Sequence, residues 1–261
     1  MTFAPPQFET RLARSAEELA AAQHLRYRVF VQELGGTGAM VDHAAQLERD
    51  RFDPFFDHLL LLDHARPGAL RDQVVGVYRL LTDDRAREMG QFYSADEYDL
   101  GVLTASGRKL LELGRSCLHP DYRGGEAMFQ LWNALSEYIA DRGIEVLFGV
   151  ASFHGTDTAA LAPSLSLLHA RHLAPDDLRV RAQPSSYLAM DQIAESDLDR
   201  VAAMKAVPPL IKGYLKLGGF VGEGAFVDHA FNTVDICLVL DMARLNEKQS
   251  RLYTRSQGGG Q

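Results

Sequence analysis

The sequence predicts an α/β fold built on a mixed sheet, and three observations predict it. A strand at 109–118, a helix at 125–142 and a buried strand at 146–153 follow one another closely, and such a run implies a parallel strand pair. Apolar-rich stretches at 58–63 and 74–81, separated by a Pro-Gly turn, read as two further strands. Hydrophobic residues make up 46% and charged residues 24%, proportions that suit a chain able to bury a core.

Taken in order, the elements are justified as follows. Ser15 with Glu18 three positions on is a capping-box pattern, so a helix is expected over 17–33, stopped by Gly35 and Gly36. Residues 35–57, rich in Gly, Asp, His and Pro, read as a long irregular loop, a kind of segment that is often functional. Residues 83–109 read as mixed, a short helix followed by irregular chain. In 125–142, Met128, Leu131, Trp132, Leu135 and Ile139 recur at helical spacing, which gives an amphipathic helix lying on the sheet and stopped by Gly143. Residues 154–207 break the rhythm with Pro163, Pro175 and Pro184 and a helix expected at 161–172, and read as an insertion. Pro208 opens a last short helix over 208–217, ended by Gly218 and Gly219, and 220–226 with 233–241 form a closing hairpin-like pair. The expectation is a single domain over 1–242, followed by a tail at 243–261 whose end, from Ser256, is disordered.

Composition excludes several function classes. A net charge of −8 argues against a nucleic-acid binder, which needs a basic face to neutralise phosphates. Cys117 and Cys237 are too few for a disulfide framework or a zinc site and point to a reducing cytosol. His119, His154 and His169 lack metal-ligand spacing, so no metal is expected and the three read as structural. The opening residues have no signal-peptide pattern and no stretch approaches a membrane span, so a cytoplasmic protein is expected, with membrane contact at most peripheral, on the inner face.

The segment from Glu112 through Arg115 to Arg123, Gly124 and Gly125 resembles the core of the GNAT acyltransferases, and Lys212, Tyr214 and the run to Phe220 resemble their late helix end. The resemblance implies a mixed central sheet with two splayed strands, helices on both faces and a helical insertion before the last helix. It implies a thioester donor whose phosphates meet Arg123, Gly124 and Gly125, and a backbone turn at a helix N-terminus is physically suited to an anion. Glu126 and Met128 stand where the superfamily has glycines, which favours the phosphopantetheine of an acyl carrier protein over coenzyme A. In the N-terminal half, Arg26 to Phe30, Glu48 to Asp53, Arg79 and Arg115 resemble the acyl-homoserine-lactone synthases, although Gly36 replaces their tryptophan. The complete pattern, including Glu33 and the run from Pro208 to Tyr214, is similar to the L-ornithine Nα-acyltransferases of ornithine-lipid synthesis.

That family's reaction would move a 3-hydroxyacyl group to the α-amine of L-ornithine, giving lyso-ornithine lipid. Amide formation needs a neutral amine, a polarised carbonyl and a protonated leaving thiol. Reference pKa values of ~8 and ~10.4 make the α-amine easier to deprotonate than the δ-amine by about 3 kcal/mol. Glu112 is the candidate base, directly or through water, with a solvated strand position as the plain alternative. Tyr214 is the candidate acid for the thiolate. Arg26, Phe30, Asp50, Asp53, Arg79 and Arg115 are candidate substrate-binding residues, with Asp50 and Asp53 as anchors for the δ-ammonium. The same charges would equally serve as a network holding the N-terminal segment. A long acyl chain offers ~0.8 kcal/mol per buried CH₂, which requires an apolar channel; Leu161, Leu165, Leu167 and Leu168 are candidates to line it. Residues 200–222 contain no Asp or Glu while Arg200, Lys205, Lys212 and Lys216 supply charge, a suitable dock for an acidic carrier protein. Three alternatives compete: a homoserine-lactone synthase using S-adenosylmethionine, an acetyl-coenzyme A N-acetyltransferase, and a non-catalytic acyl-carrier or lipid binder.

Overall fold

A computed structural model describes residues 5–123 and 125–245. The strands are β1 (Phe8–Leu12), β2 (Asp57–Asp63), β3 (Val74–Thr82), β4 (Tyr98–Asp99), β5 (Leu110–Leu118), β6 (Val146–His154), β7 (Arg181–Ala182), β8 (Tyr187–Leu188), β9 (Phe220–Val221), β10 (Ala225–Asp228) and β11 (Thr233–Asp241). The helices are α1 (Ala16–Arg26), α2 (Leu70–Gln73), α3 (Asp83–Met89), α4 (Gly101–Thr104), α5 (Glu126–Arg142), α6 (Thr158–His172), α7 (Arg200–Ala206) and α8 (Pro209–Lys216). The described residues form two compact units, 5–89 with 113–123 and 125–143, and 90–112 with 144–245.

In the first unit β1, β2 and β3 form an antiparallel sheet, with Leu60 opposite Val77 and Leu61 opposite Gly76. Side chains alternate across a strand, so neighbouring residues meet different helices. Leu60, Leu62 and Val77 pack with Ala21, Ala22 and Leu25 of α1. On the other face, a Cβ at Gly76 would meet both Leu61 of β2 and Leu131 of α5. Helices thus cover both faces of this sheet, as the resemblance implied. The Ser15 hydroxyl accepts from the Glu18 amide at 3.2 Å, confirming the cap read from the sequence. The single helix expected over 17–33 is corrected: α1 ends at Arg26 and the chain continues as a π-helix over Tyr27–Glu33. Apolar spacing over seven residues does not separate the two helix types.

In the second unit β11 is the central strand. It pairs antiparallel with β6 along its whole length, from Thr233 opposite His154 to Asp241 opposite Val146. On its other edge it pairs with β10 and β9. The expected strand 220–226 is corrected to two short ones, because Gly222 and Gly224 interrupt it. Gly224 has φ +76°, and a Cβ there would lie 2.2 Å from the Tyr187 ring. The parallel pair predicted for β5 and β6 is present but short, running from Leu110 opposite Val146 to Glu112 opposite Phe148. Among the described residues no further β5–β6 pair follows. The insertion at 154–207 contains α6, capped by Asp157 accepting from the Ala160 amide at 3.1 Å, then β7, β8 and all of α7.

Candidate active site

The first unit gathers its predicted charges into one buried network. Arg26 of α1 donates through Nε to Glu48 and through Nη1 to Asp53 Oδ1 at 2.6 Å. Arg79 of β3 donates through Nη1 to Asp50 Oδ2 at 2.6 Å and Asp53 Oδ1 at 2.9 Å. Arg115 of β5 reaches Glu48 Oε1 at 3.2 Å and Asp50 Oδ2 at 3.5 Å. Three arginines therefore meet three carboxylates, so the cluster is close to neutral. Gln23 and the His58 ring add hydrogen bonds to Asp53. Arg26 and Arg79 have no exposed surface, and the Arg79 guanidinium lies 4.1 Å from the Phe56 ring centroid. Burial alone would push the Glu48 carboxyl up, but Arg115 and Arg26 outweigh it and bring it down to about 2. Arg26 and Arg79 likewise hold the Asp53 carboxyl well below the usual range.

This geometry makes the network a clamp that fastens the 48–53 loop to α1 and β3. Asp53, expected as an anchor for a substrate cation or as an organiser of this loop, is 3% exposed and shared by two guanidinium groups. Asp50 and Arg115, at 18% and 13% side-chain exposure, sit at its open edge. Phe30 packs half-buried on the α1 core, 6.0 Å from the Arg115 guanidinium. Glu48, buried in the middle of the clamp, is a residue that sequence reasoning passed over although it stands in the same motif. Arg115 has φ +48° within β5, a conformation that costs a non-glycine residue about 1–3 kcal/mol.

The predicted phosphopantetheine turn is in the same unit. Gly125, at φ +121°, is the residue before α5, and its carbonyl accepts from the Phe129 amide at 2.9 Å. Gly124 lies outside the described residues. Arg123 makes a two-pronged pair with Glu33 at 2.6 and 2.7 Å. The nearby His119 is buried, and desolvation together with Arg66, Arg28 and Arg123 pushes its imidazole down to about 4, so it is uncharged at neutral pH. Its Nε2 pairs with Arg66 at 3.1 Å, in keeping with a structural role.

The second unit holds Glu112, and it is not on a solvated face: it is 2% exposed. Its Oε2 accepts from the Tyr93 amide at 2.7 Å, and its Oε1 accepts from the Ser94 amide at 2.6 Å and from the Ser94 hydroxyl. The carboxylate thus caps the 3-10 turn Tyr93–Asp96, satisfying amides left over at the turn's start. Residues directly opposite in a sheet share a face. By register, Glu112, Phe148 and Val239 do so, and period-two alternation adds Cys237, Asp235 and Thr233 from β11, with Asp228 of β10 opposite Thr233. The segment after Gly90 lies over this face, since Phe92 stacks edge-on against Phe148 at 5.0 Å and the Tyr98 hydroxyl donates to the Asp235 carbonyl at 3.0 Å. It brings Glu97 to Asp228 and Asp235, and one carboxylate oxygen from each lies within 4.8 Å of the others. These three acids are suited to a cation and were not found from the sequence, where they are scattered. Cys237 stands between them and Glu112, fully buried, its thiol pushed up mainly by burial.

Tyr214 is buried on α8, where its carbonyl accepts from the amides of Leu217 and Gly219. A Cβ at Gly219 would lie 2.8 Å from that carbonyl, so glycine is needed for this close helix end. Leu165, Leu167 and Leu168 are buried in the packing of α6, while Leu161 is partly exposed. Among the described residues no helix is long and apolar enough to cross a membrane.

Known proteins place this arrangement. The acetyltransferase (GNAT) domain family matches residues 25–133. An N-acyl amino acid synthase, FeeM, from uncultured soil microbes superposes with a TM-score of 0.51 at 13% identity, covering 92% of this chain and 93% of that one. The acyl-homoserine-lactone synthase LasI superposes at 0.50 with 14% identity, covering 95% of each. The chain is a GNAT-fold N-acyltransferase. Full-length relatives narrow the class. An L-ornithine N(alpha)-acyltransferase of Rhodobacter capsulatus is 57% identical over 259 residues, 99% of both chains. One from Brucella abortus is 43% identical over 94% of this chain and 88% of its own. The chain belongs to the L-ornithine N(alpha)-acyltransferase family.

Proposed function

We propose that this enzyme transfers a 3-hydroxyacyl group from acyl carrier protein to the α-amine of L-ornithine, producing lyso-ornithine lipid. The observation that carries the acceptor half is the sheet face bearing Glu112 together with Glu97, Asp228 and Asp235. An acceptor with a second ammonium group needs anionic partners away from the reacting nitrogen, and three carboxylates supply them. Cα positions of Asp235 and Val239, the latter in register with Glu112 through Phe148, are about 14 Å apart along β11 at ~3.4 Å per residue, so the acids stand away from Glu112. In this reading Glu112 takes the α-amine's proton through water, and Tyr214 protonates the departing thiolate.

The donor half rests on the family relation and on two surfaces. The turn at Arg123, Gly124 and Gly125 receives the phosphopantetheine, with Arg123 exchanging Glu33 for the phosphate. Exposed Lys205 and Lys216, with Arg200, offer charge to an acidic carrier protein, whereas Lys212 turns its ammonium to the Lys205 carbonyl at 3.0 Å. Asp50 and Arg115, at the open edge of the clamp, complete the substrate contacts. A single-chain product partitions weakly into bilayers, which suits an enzyme working in the cytoplasm against the inner membrane face.

The acceptor assignment is tested by comparing L-ornithine with L-norvaline, which lacks the δ-amine, in wild type and Asp228→Asn. The expected result is a kcat/KM for ornithine reduced roughly tenfold with norvaline unaffected, one tenfold step being ~1.4 kcal/mol. An equal loss for both acceptors, or no loss, overturns it.

A further inference from the structure

We infer that Ser94 is a positioning residue for the reaction, setting the basicity and orientation of the Glu112 carboxylate. The inference rests on Glu112 acting as the base, as proposed above. Ser94 has no exposed surface, yet its hydroxyl is directed at Glu112 Oε1 and its own amide reaches the same oxygen at 2.6 Å. The neighbouring Tyr93 amide occupies Oε2 at 2.7 Å. A cap on a short turn requires only the two backbone donors. The hydroxyl is an additional donor, and donors to the ionised form of a carboxylate lower its proton affinity while fixing its plane.

Several further groups on this face are of other kinds. From β6 comes Phe148, and from the covering segment Phe92, both apolar. From β11 comes the Cys237 thiol, which burial keeps protonated. The acids Glu97, Asp228 and Asp235 lie further along the same face and bear on the acceptor's far end. Ser94 is thus a side chain that adjusts Glu112 without touching the reacting atoms.

The test is the pH dependence of kcat for wild type, Ser94→Ala, Ser94→Cys and Glu112→Gln, each checked for a cooperative melt. Removing the hydroxyl leaves the anion with fewer donors, so its proton affinity rises and the acid limb of the profile moves to higher pH. The expected shift is about one unit for Ser94→Ala, and a smaller one in the same direction for Ser94→Cys, whose thiol is a weaker donor. KM for ornithine is expected to stay within about twofold. Superimposable profiles for wild type and both Ser94 variants, with Glu112→Gln inactive, overturn the role of Ser94 alone. Full activity of Glu112→Gln across the pH range overturns the base assignment and the inference with it. If Ser94→Ala does not fold, Ser94→Cys decides the matter by the same shift.

Discussion

Glu48 is 1% exposed and touches two arginines, so its worth lies in what happens when it is altered. Replacing it by Gln leaves Arg26 and Arg115 short of charge in a buried setting, and breaking such a pair typically costs about 3–5 kcal/mol. Urea unfolding of Glu48→Gln is expected to show a loss of that size, whereas a loss below about 1 kcal/mol would mean the clamp is not holding the loop. The same residue predicts acid behaviour. Its folded pKa of about 2 lies below the ordinary 4.5, so its stabilisation is complete above about pH 5 and is lost as pH falls from 4.5 toward 2. Asp53, shifted in the same direction, adds to the loss over an even more acidic range. Glu48→Gln should therefore flatten the decline of unfolding free energy between pH 5 and 2; an unchanged slope would contradict the linkage. Five of the six charges were legible from short motifs, Asp50 and Asp53 from 48–53 and Arg26, Arg79 and Arg115 from their own segments, and Glu48 was not singled out. Their buried, mutually neutralised state was not, because a carboxylate looks alike in sequence whether it meets a substrate or an arginine.

Gly76 decides how α5 sits on its sheet. A Cβ there would lie 2.9 Å from Leu118 Cδ2, 2.9 Å from Leu131 Cδ1 and 3.1 Å from Leu61 Cβ. Gly76→Ala is expected to destabilise by about 1–3 kcal/mol through overpacking, read from the denaturant midpoint, and an unchanged midpoint would show that the helix is free to move outward. Just before α5, Arg123 is paired with Glu33 in a half-exposed setting worth less than about 1 kcal/mol. Arg123→Ala is expected to leave stability nearly intact while raising KM for the acyl carrier protein thioester about tenfold; an unchanged KM would remove Arg123 from the donor site. Strands and helices with strong apolar patterning, β2, β3, α5, β6 and β11, were all visible in the sequence. The π-helix over Tyr27–Glu33 and the split into β9 and β10 were not, since the first shares its spacing with an α-helix and the second depends on how closely Tyr187 approaches Gly224.

Each of the two units holds its own group of predicted residues. The first carries the charge clamp and the turn assigned to the donor, and the second carries Glu112 and the acids assigned to the acceptor. The family and the α/β sheet could be read from five motifs in order. The acceptor face could not, because Glu97, Asp228 and Asp235 meet only through the β10–β11 register and the fold of the segment over it, which no local spacing records. The central claim is acyl transfer from a carrier protein to one particular nitrogen, and tandem mass spectrometry of the product addresses it most directly. With purified enzyme, 3-hydroxyacyl carrier protein and L-ornithine, fragmentation should place the acyl group on the α-nitrogen. An acyl group on the δ-nitrogen, or product formed only from acetyl-coenzyme A, would contradict the account.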